Sequence, residues 1–127
     1  MAEPASRQVN WAWFFLRFNG RVNRTAFFLG GLFLGVLAMF PFYRFLLVPP
    51  ESGEAQLWAS LFYLVILPSL WVQAALGVKR LHDMGKPGFA AVSLFVFPIS
   101  LIAFVVLCVF PGEPGPNQYG RETNSPG

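Results

Sequence analysis

From Leu57 to Val78 the chain carries no charged side chain. At 1.5 Å rise per residue a helix over this stretch is about 33 Å long, close to the ~30 Å hydrocarbon thickness of a bilayer. Eleven of its residues are Leu, Ile, Phe or Val. At about −0.4 kcal/mol each they favour insertion by roughly 4 kcal/mol, and no ionic group opposes them. Two more apolar runs lie on either side, Thr25 to Val48 and Gly88 to Phe110. The whole sequence is 55% apolar and only 12% charged, more apolar surface than a soluble domain of this size can hide. Lipid accepts side chains that are apolar all round, provided each backbone N–H and C=O is paired within a helix. The expected fold is an all-α membrane protein with three transmembrane helices, at 25–48, 57–78 and 88–110.

Prolines mark the weak points. Pro41 removes a hydrogen bond from the first run and predicts a kink or an end there, with Arg44 placed to snorkel at the outer interface. Pro68 and Pro98 interrupt the other two runs, where Ser69 and Ser100 are placed to bond freed carbonyls. The first run has too long an apolar core for a signal peptide, and no small-residue cleavage site follows it, so it reads as an anchor.

Orientation follows from charge. In a three-span arrangement Arg7, Arg17, Arg21, Arg24, Lys79, Arg80 and Lys86 share one side, and Arg44 and Arg121 the other. The positive-inside rule then places the N-terminus in the cytoplasm and the tail outside. A segment that turns back at Pro98 or Pro41 would instead return the tail to the cytoplasm. Basic residues beside apolar runs suit anionic lipid headgroups, and the net charge of +3 forms no basic face of the kind a nucleic-acid binder needs.

Ahead of the first span, within residues 1–24, Trp11, Phe14, Phe15 and Phe18 recur at helical spacing. They predict a short amphipathic helix at the membrane interface, with Arg17 and Arg21 reaching lipid phosphate; a docking helix for a partner protein is the alternative. Residues 79–87 form a basic cytoplasmic turn closed by Gly85 and Pro87. His82 and Asp83 are adjacent there, but neighbours on a helix point about 100° apart, and no serine or cysteine is spaced to serve as nucleophile. One histidine and one cysteine cannot build the usual metal sites, no cofactor is implied, and Cys108 reads as an apolar packing residue.

Gly31 and Gly35 permit close helix approach, either within the chain or in a homo-oligomer. The second and third runs contain no carboxylate for a proton relay, so permeation would require an oligomer. The tail at 111–127 is dense in turn formers, and its Asn117 to Gly120 portion is placed to fold onto the membrane face through Tyr119.

Three motifs in order complete the pattern. They are Phe18-Asn-Gly20-Arg21-Val-Asn-Arg24 before the first run, Arg80-Leu-His82-Asp83-Met-Gly85-Lys-Pro-Gly88-Phe89 between the second and third, and Pro114-Gly-Pro-Asn117-Gln-Tyr119-Gly120 after the last. The set resembles the bacterial inner-membrane proteins grouped as domain of unknown function 805, or YhaH-like proteins, over almost the whole chain. Pro87 stands where that family usually has serine, and Phe89 where it has tryptophan. The resemblance implies a multi-pass protein of the bacterial cytoplasmic membrane and no particular activity. Arg21, Arg24, Arg80, His82, Asp83, Asn117 and Tyr119 are the candidate polar cluster at the interface. The expected role is a non-enzymatic accessory or interaction component. The alternatives are an oligomeric solute or ion permeation protein and a membrane enzyme using His82 and Asp83.

Overall fold

The computed structural model describes residues 10–126 and is helical. The β-type pairing among these residues is limited to isolated bridges, Arg21 with Ser125 and Asn117 with Gly120. A short helix α1, Trp11–Leu16, begins at Asn10, whose Oδ1 accepts the Trp13 N–H at 3.0 Å. The long helix α2, Arg24–Leu47, is capped in the same way by Asn23. It continues past Pro41 and carries Arg44 in its last turn, over the ring of Trp58 at 5.3 Å. Helix α3, Gly53–Asp83, starts at Ser52, passes through Pro68 and spans 31 residues, about 46 Å at helical rise. That exceeds the ~30 Å of hydrocarbon, so the turn from Lys79 to Asp83 projects beyond the uncharged stretch. Its end is a Schellman motif: the Gly85 N–H donates to His82 O and the Lys86 N–H to Leu81 O, with Gly85 at φ +75°.

Helices α2 and α3 are each long and apolar enough to cross a membrane, and only 28% of each apolar window is buried inside the protein. Their outward faces carry Leu29, Phe33, Val36, Leu64 and Leu67, all about half or more exposed. These helices point to a membrane location.

The third run is not the single helix expected over 88–110. It forms a 3-10 segment, Gly88–Phe95, then a break, then helix α4, Ile99–Val109. Pro98 has no N–H to donate into a continuing helix and disfavours helical geometry at Phe97, so the run splits there. The two arms are about 16 Å each at their respective rises, and the chain doubles back. Gly88 begins the run against Val78 and His82, and Arg80 receives its end by donating from Nε to Leu107 O at 2.7 Å. Each arm covers half the distance that a crossing requires.

Consequently the tail is not at the far end of the helices from the N-terminal arginines. It lies against them, with the Glu113 N–H donating to Asp83 O at 2.7 Å and the Arg21 N–H to Ser125 O at 3.1 Å. The packed apolar core, Trp13, Val22, Phe27, Leu76, Leu81, Ala91 and Leu107, sits at this same end. Gly30 is filled by Leu76 and Gly31 by Phe104, packing within the chain, whereas Gly35 has nothing against it.

Candidate functional site: a buried charged cap

Asp83, the last residue of α3, is 3% exposed. A lone buried carboxylate would be costly, and two arginines from different segments answer it. Arg21 Nε donates to Asp83 Oδ1 at 2.9 Å, and Arg80 Nη1, one helical turn away, to Oδ2 at 3.0 Å. Both guanidinium groups are themselves buried, and backbone carbonyls accept further hydrogen bonds from each. Arg21 Nη1 donates to Gly115 O at 2.7 Å and Gly120 O at 3.2 Å, and its Nη2 to Glu113 O at 2.7 Å. Arg80 also donates to Phe110 O. With Arg24 Nη1 on Val109 O at 2.6 Å, two arginines close the carbonyl end of α4, where the helix dipole favours positive charge.

This density of contacts requires close approach. A Cβ at Gly112 would lie 2.0 Å from Asp83 Oδ2, and one at Gly20, where φ is +93°, 2.3 Å from Ser125 O. Glycine at both positions lets the tail seat on the arginine and carboxylate layer.

His82 occupies the edge of the cap. Its Nδ1 lies 3.0 Å from Gly20 O, and because a carbonyl only accepts, Nδ1 carries the proton. The ring stacks on Tyr119 with centroids 4.0 Å apart and planes 3° from parallel. Asn117 Nδ2 donates to His82 O and to Glu113 Oε1, each at 2.9 Å. Burial pushes the His82 pKa below its ordinary value, and the hydrogen bond to Gly20 opposes this in part. An open cleft of about 510 Å³ lies alongside, lined by Asn19, His82, Gln118, Tyr119 and Arg121.

The candidate residues divide as follows. Arg21, Arg80 and Asp83 form one ion-paired unit, and His82, Tyr119 and Asn117 form an adjoining stack. Arg24 stands beside them but bonds α4 and does not reach Asp83. Arg21 is 1% exposed and faces inward, contrary to the expectation that it reaches lipid phosphate; the carbonyls and Asp83 replace water as its partners. The short helix also differs from expectation. Trp13, absent from the predicted aromatic face, is the buried ring, while Phe18 lies beyond the helix and packs on Trp71 at 5.0 Å.

Lys79 was not among the candidates. It is fully buried, donates from Nζ to Trp13 O and Phe14 O at 2.5 Å each, and lies 4.3 Å from the centre of the Trp13 ring. It therefore fixes α1 to α3. In the sequence Lys79 is one cation in a basic run, and nothing there separates it from Lys86.

Chemically the cap is a fastening. Both Asp83 oxygens are engaged by guanidinium groups, and among the described residues no group of three or more His, Cys, Asp or Glu could hold a metal ion. Three sequence stretches that the apolar runs hold apart converge here, contributing Arg21, then Arg80 to Asp83, then Asn117 to Tyr119. The family model for a protein of unknown function, DUF805, matches residues 15–121. The chain belongs to the DUF805 family. It is also 30% identical to the uncharacterized protein YiiR of Escherichia coli K12, and equally to that of Escherichia coli O157:H7, over 87% of this chain and 88% of the relative. No solved structure matches. Pro87 and Phe89 lie outside the ion-paired unit, and Phe89 is 81% exposed.

Proposed function

We propose that this DUF805 protein is a non-catalytic component of the bacterial inner membrane: two membrane crossings and a hairpin that enters halfway carry a rigid polar cap on the cytoplasmic face as an interaction platform. The observation that carries the reading is the seating of the tail on Arg21, His82 and Asp83. It places both ends of the described chain at the same end of α2 and α3.

Charge supports the orientation. With the tail folded back, Arg121 joins Arg17, Arg21, Arg24, Lys79, Arg80 and Lys86 at the cap, and among the described residues Arg44 alone marks the opposite end. That asymmetry favours a cytoplasmic cap lying among anionic headgroups. The ion-paired interior serves stability and leaves the rim around Gln118 and Arg121 to meet a partner.

Reporter fusions test the arrangement. A fluorescent protein that matures only in the cytoplasm is expected to be bright at either terminus, and alkaline phosphatase is expected to be active only when inserted in the loop at Pro49 to Ser52. Active phosphatase at the C-terminus would overturn it. For the platform, a photo-crosslinking residue at Gln118 is expected to give one discrete protein adduct that the same residue at Leu64 does not. Identical adducts from both positions would refute a specific surface.

A further inference from the structure

Beside the cap, α1 stands off from α2 and leaves an apolar hollow of about 720 Å³, within the roughly 300–1,000 Å³ range of ligand pockets. Trp11, Phe14 and Phe15 wall one side, Ala26 and Phe33 the other, and Asn10 and Asn124 lie at its polar rim. The sequence builds this space by placing alanine at residue 26 among larger neighbours, Phe27, Phe28 and Leu29.

Collapse is prevented from the α1 side. Lys79 holds the carbonyls of Trp13 and Phe14, and the Trp13 indole donates to Asn19 O at 2.7 Å. The rings brace one another: Trp11 stacks on Phe15 at 5.8 Å, Phe14 meets Phe15 edge-on at 5.0 Å, and Phe15 reaches Phe33 at 6.1 Å. An apolar hollow with fixed walls lacks dispersion contacts on one side until something fills it.

We propose that the hollow is a binding site for one phospholipid of the surrounding bilayer. Three features of the site select this occupant. Phe33 is 51% exposed on the lipid-facing side of α2, so the hollow is continuous with the surface that acyl chains already cover. From Ala26 to Phe33 it follows α2 for about 10 Å inward from the cap, the depth of the upper part of an acyl chain. At the rim, Asn10 Oδ1 accepts from the Trp13 N–H and Asn124 Oδ1 from the Asn23 N–H, so in each amide Nδ2 is the group with the chemistry to donate to ester or phosphate oxygens. Apolar walls below and neutral donors above match one amphiphile at an interface. The site rests on the membrane reading above, but it depends on α1, α2 and the tail rather than on which way the cap faces.

Native mass spectrometry of the full-length protein, delipidated in detergent and then supplied with phosphatidylethanolamine or phosphatidylglycerol, tests the proposal. One lipid per chain is expected to survive activation that strips the others. Ala26→Phe, which fills the hollow, is expected to weaken retention roughly tenfold or more, while Leu64→Phe on the open face of α3 leaves it unchanged. Retention of the lipid by Ala26→Phe, or no lipid retained by the wild type, would overturn the site. A phospholipid with a photoreactive acyl chain gives a second readout on unaltered protein. Labels are expected on Trp11 to Phe15 and Ala26 to Phe33, and equal labelling of Leu64 to Leu67 would count against the proposal. Both measurements are independent of sidedness, so their failure is distinguishable from failure of the topology.

Discussion

Asp83→Asn tests the cap at its centre. The carboxylate accepts from Arg21 at 2.9 Å and from Arg80 at 3.0 Å in a site where both arginines are almost fully enclosed. An asparagine of the same shape keeps one acceptor oxygen but aims an amide N–H₂ at the other guanidinium. One charge-assisted hydrogen bond is lost, about 1.5–3 kcal/mol, and two buried cations are left facing each other without an anion. Removing one member of a buried ion pair costs about 3–5 kcal/mol, and that is the destabilisation expected. Set against a usual total of about 5–15 kcal/mol, it should lower the melting temperature on the order of 10–20 °C. Cys108, the single cysteine, is half-buried in α4 beside the arginine layer. A thiol-reactive dye therefore reports directly on detachment of this helix during a thermal ramp in detergent. The double variant Arg21→Met with Asp83→Leu should cost less than the two single changes added together, because it removes a charge with its partner. If Asp83→Asn melts within about 2 °C of the wild type, a shift worth well under 1 kcal/mol, the ion-paired unit does not hold the cap together.

Three other perturbations separate the parts of the cap. Because burial keeps the folded His82 pKa below its ordinary value, the unfolded chain takes up a proton first as pH falls. Stability should therefore be level above about pH 6.5 and decline below it, and His82→Gln should remove that decline in thermal melts between pH 8 and pH 5. Gly112→Ala forces a methyl group onto Asp83 and should cost about 1–3 kcal/mol, read as faster proteolysis within the tail while α2 and α3 remain protected. Lys79→Met leaves the Trp13 and Phe14 carbonyls without their donor, at about 1–3 kcal/mol. It should shift tryptophan emission by loosening α1, with the Asp83 unit intact.

The two long helices were readable because lipid-compatible composition and backbone pairing leave an uncharged 57–78 stretch one option. The helix stop at Gly85 was equally local, since it depends on one glycine and its immediate neighbours. The third run escaped because its composition meets the same hydropathy condition whether the chain crosses or returns. The outcome was decided by Pro98 together with carbonyl acceptors for Arg80 and Arg24 that exist only when α4 comes back. The cap was partly legible, in that the three motifs contain Arg21, Arg80, Asp83, His82, Asn117 and Tyr119. What the motifs do not show is the direction of each side chain. Arg21 could be assigned equally well to a phosphate or a carboxylate, and Lys79 differs from Lys86 only in having α1 above it.

The hairpin at 88–110 has a consequence for the membrane itself. In the proposed arrangement, a segment that descends about 16 Å and climbs back occupies one leaflet only. In the proposed orientation, four helical segments displace lipid in the cytoplasmic leaflet and two in the other, giving the protein a tapered cross-section. A tapered inclusion experiences the difference in lateral pressure between leaflets, so in that arrangement lipid shape and membrane curvature would act directly on this molecule. A flat bilayer and a bent one are then different solvents for the same fold.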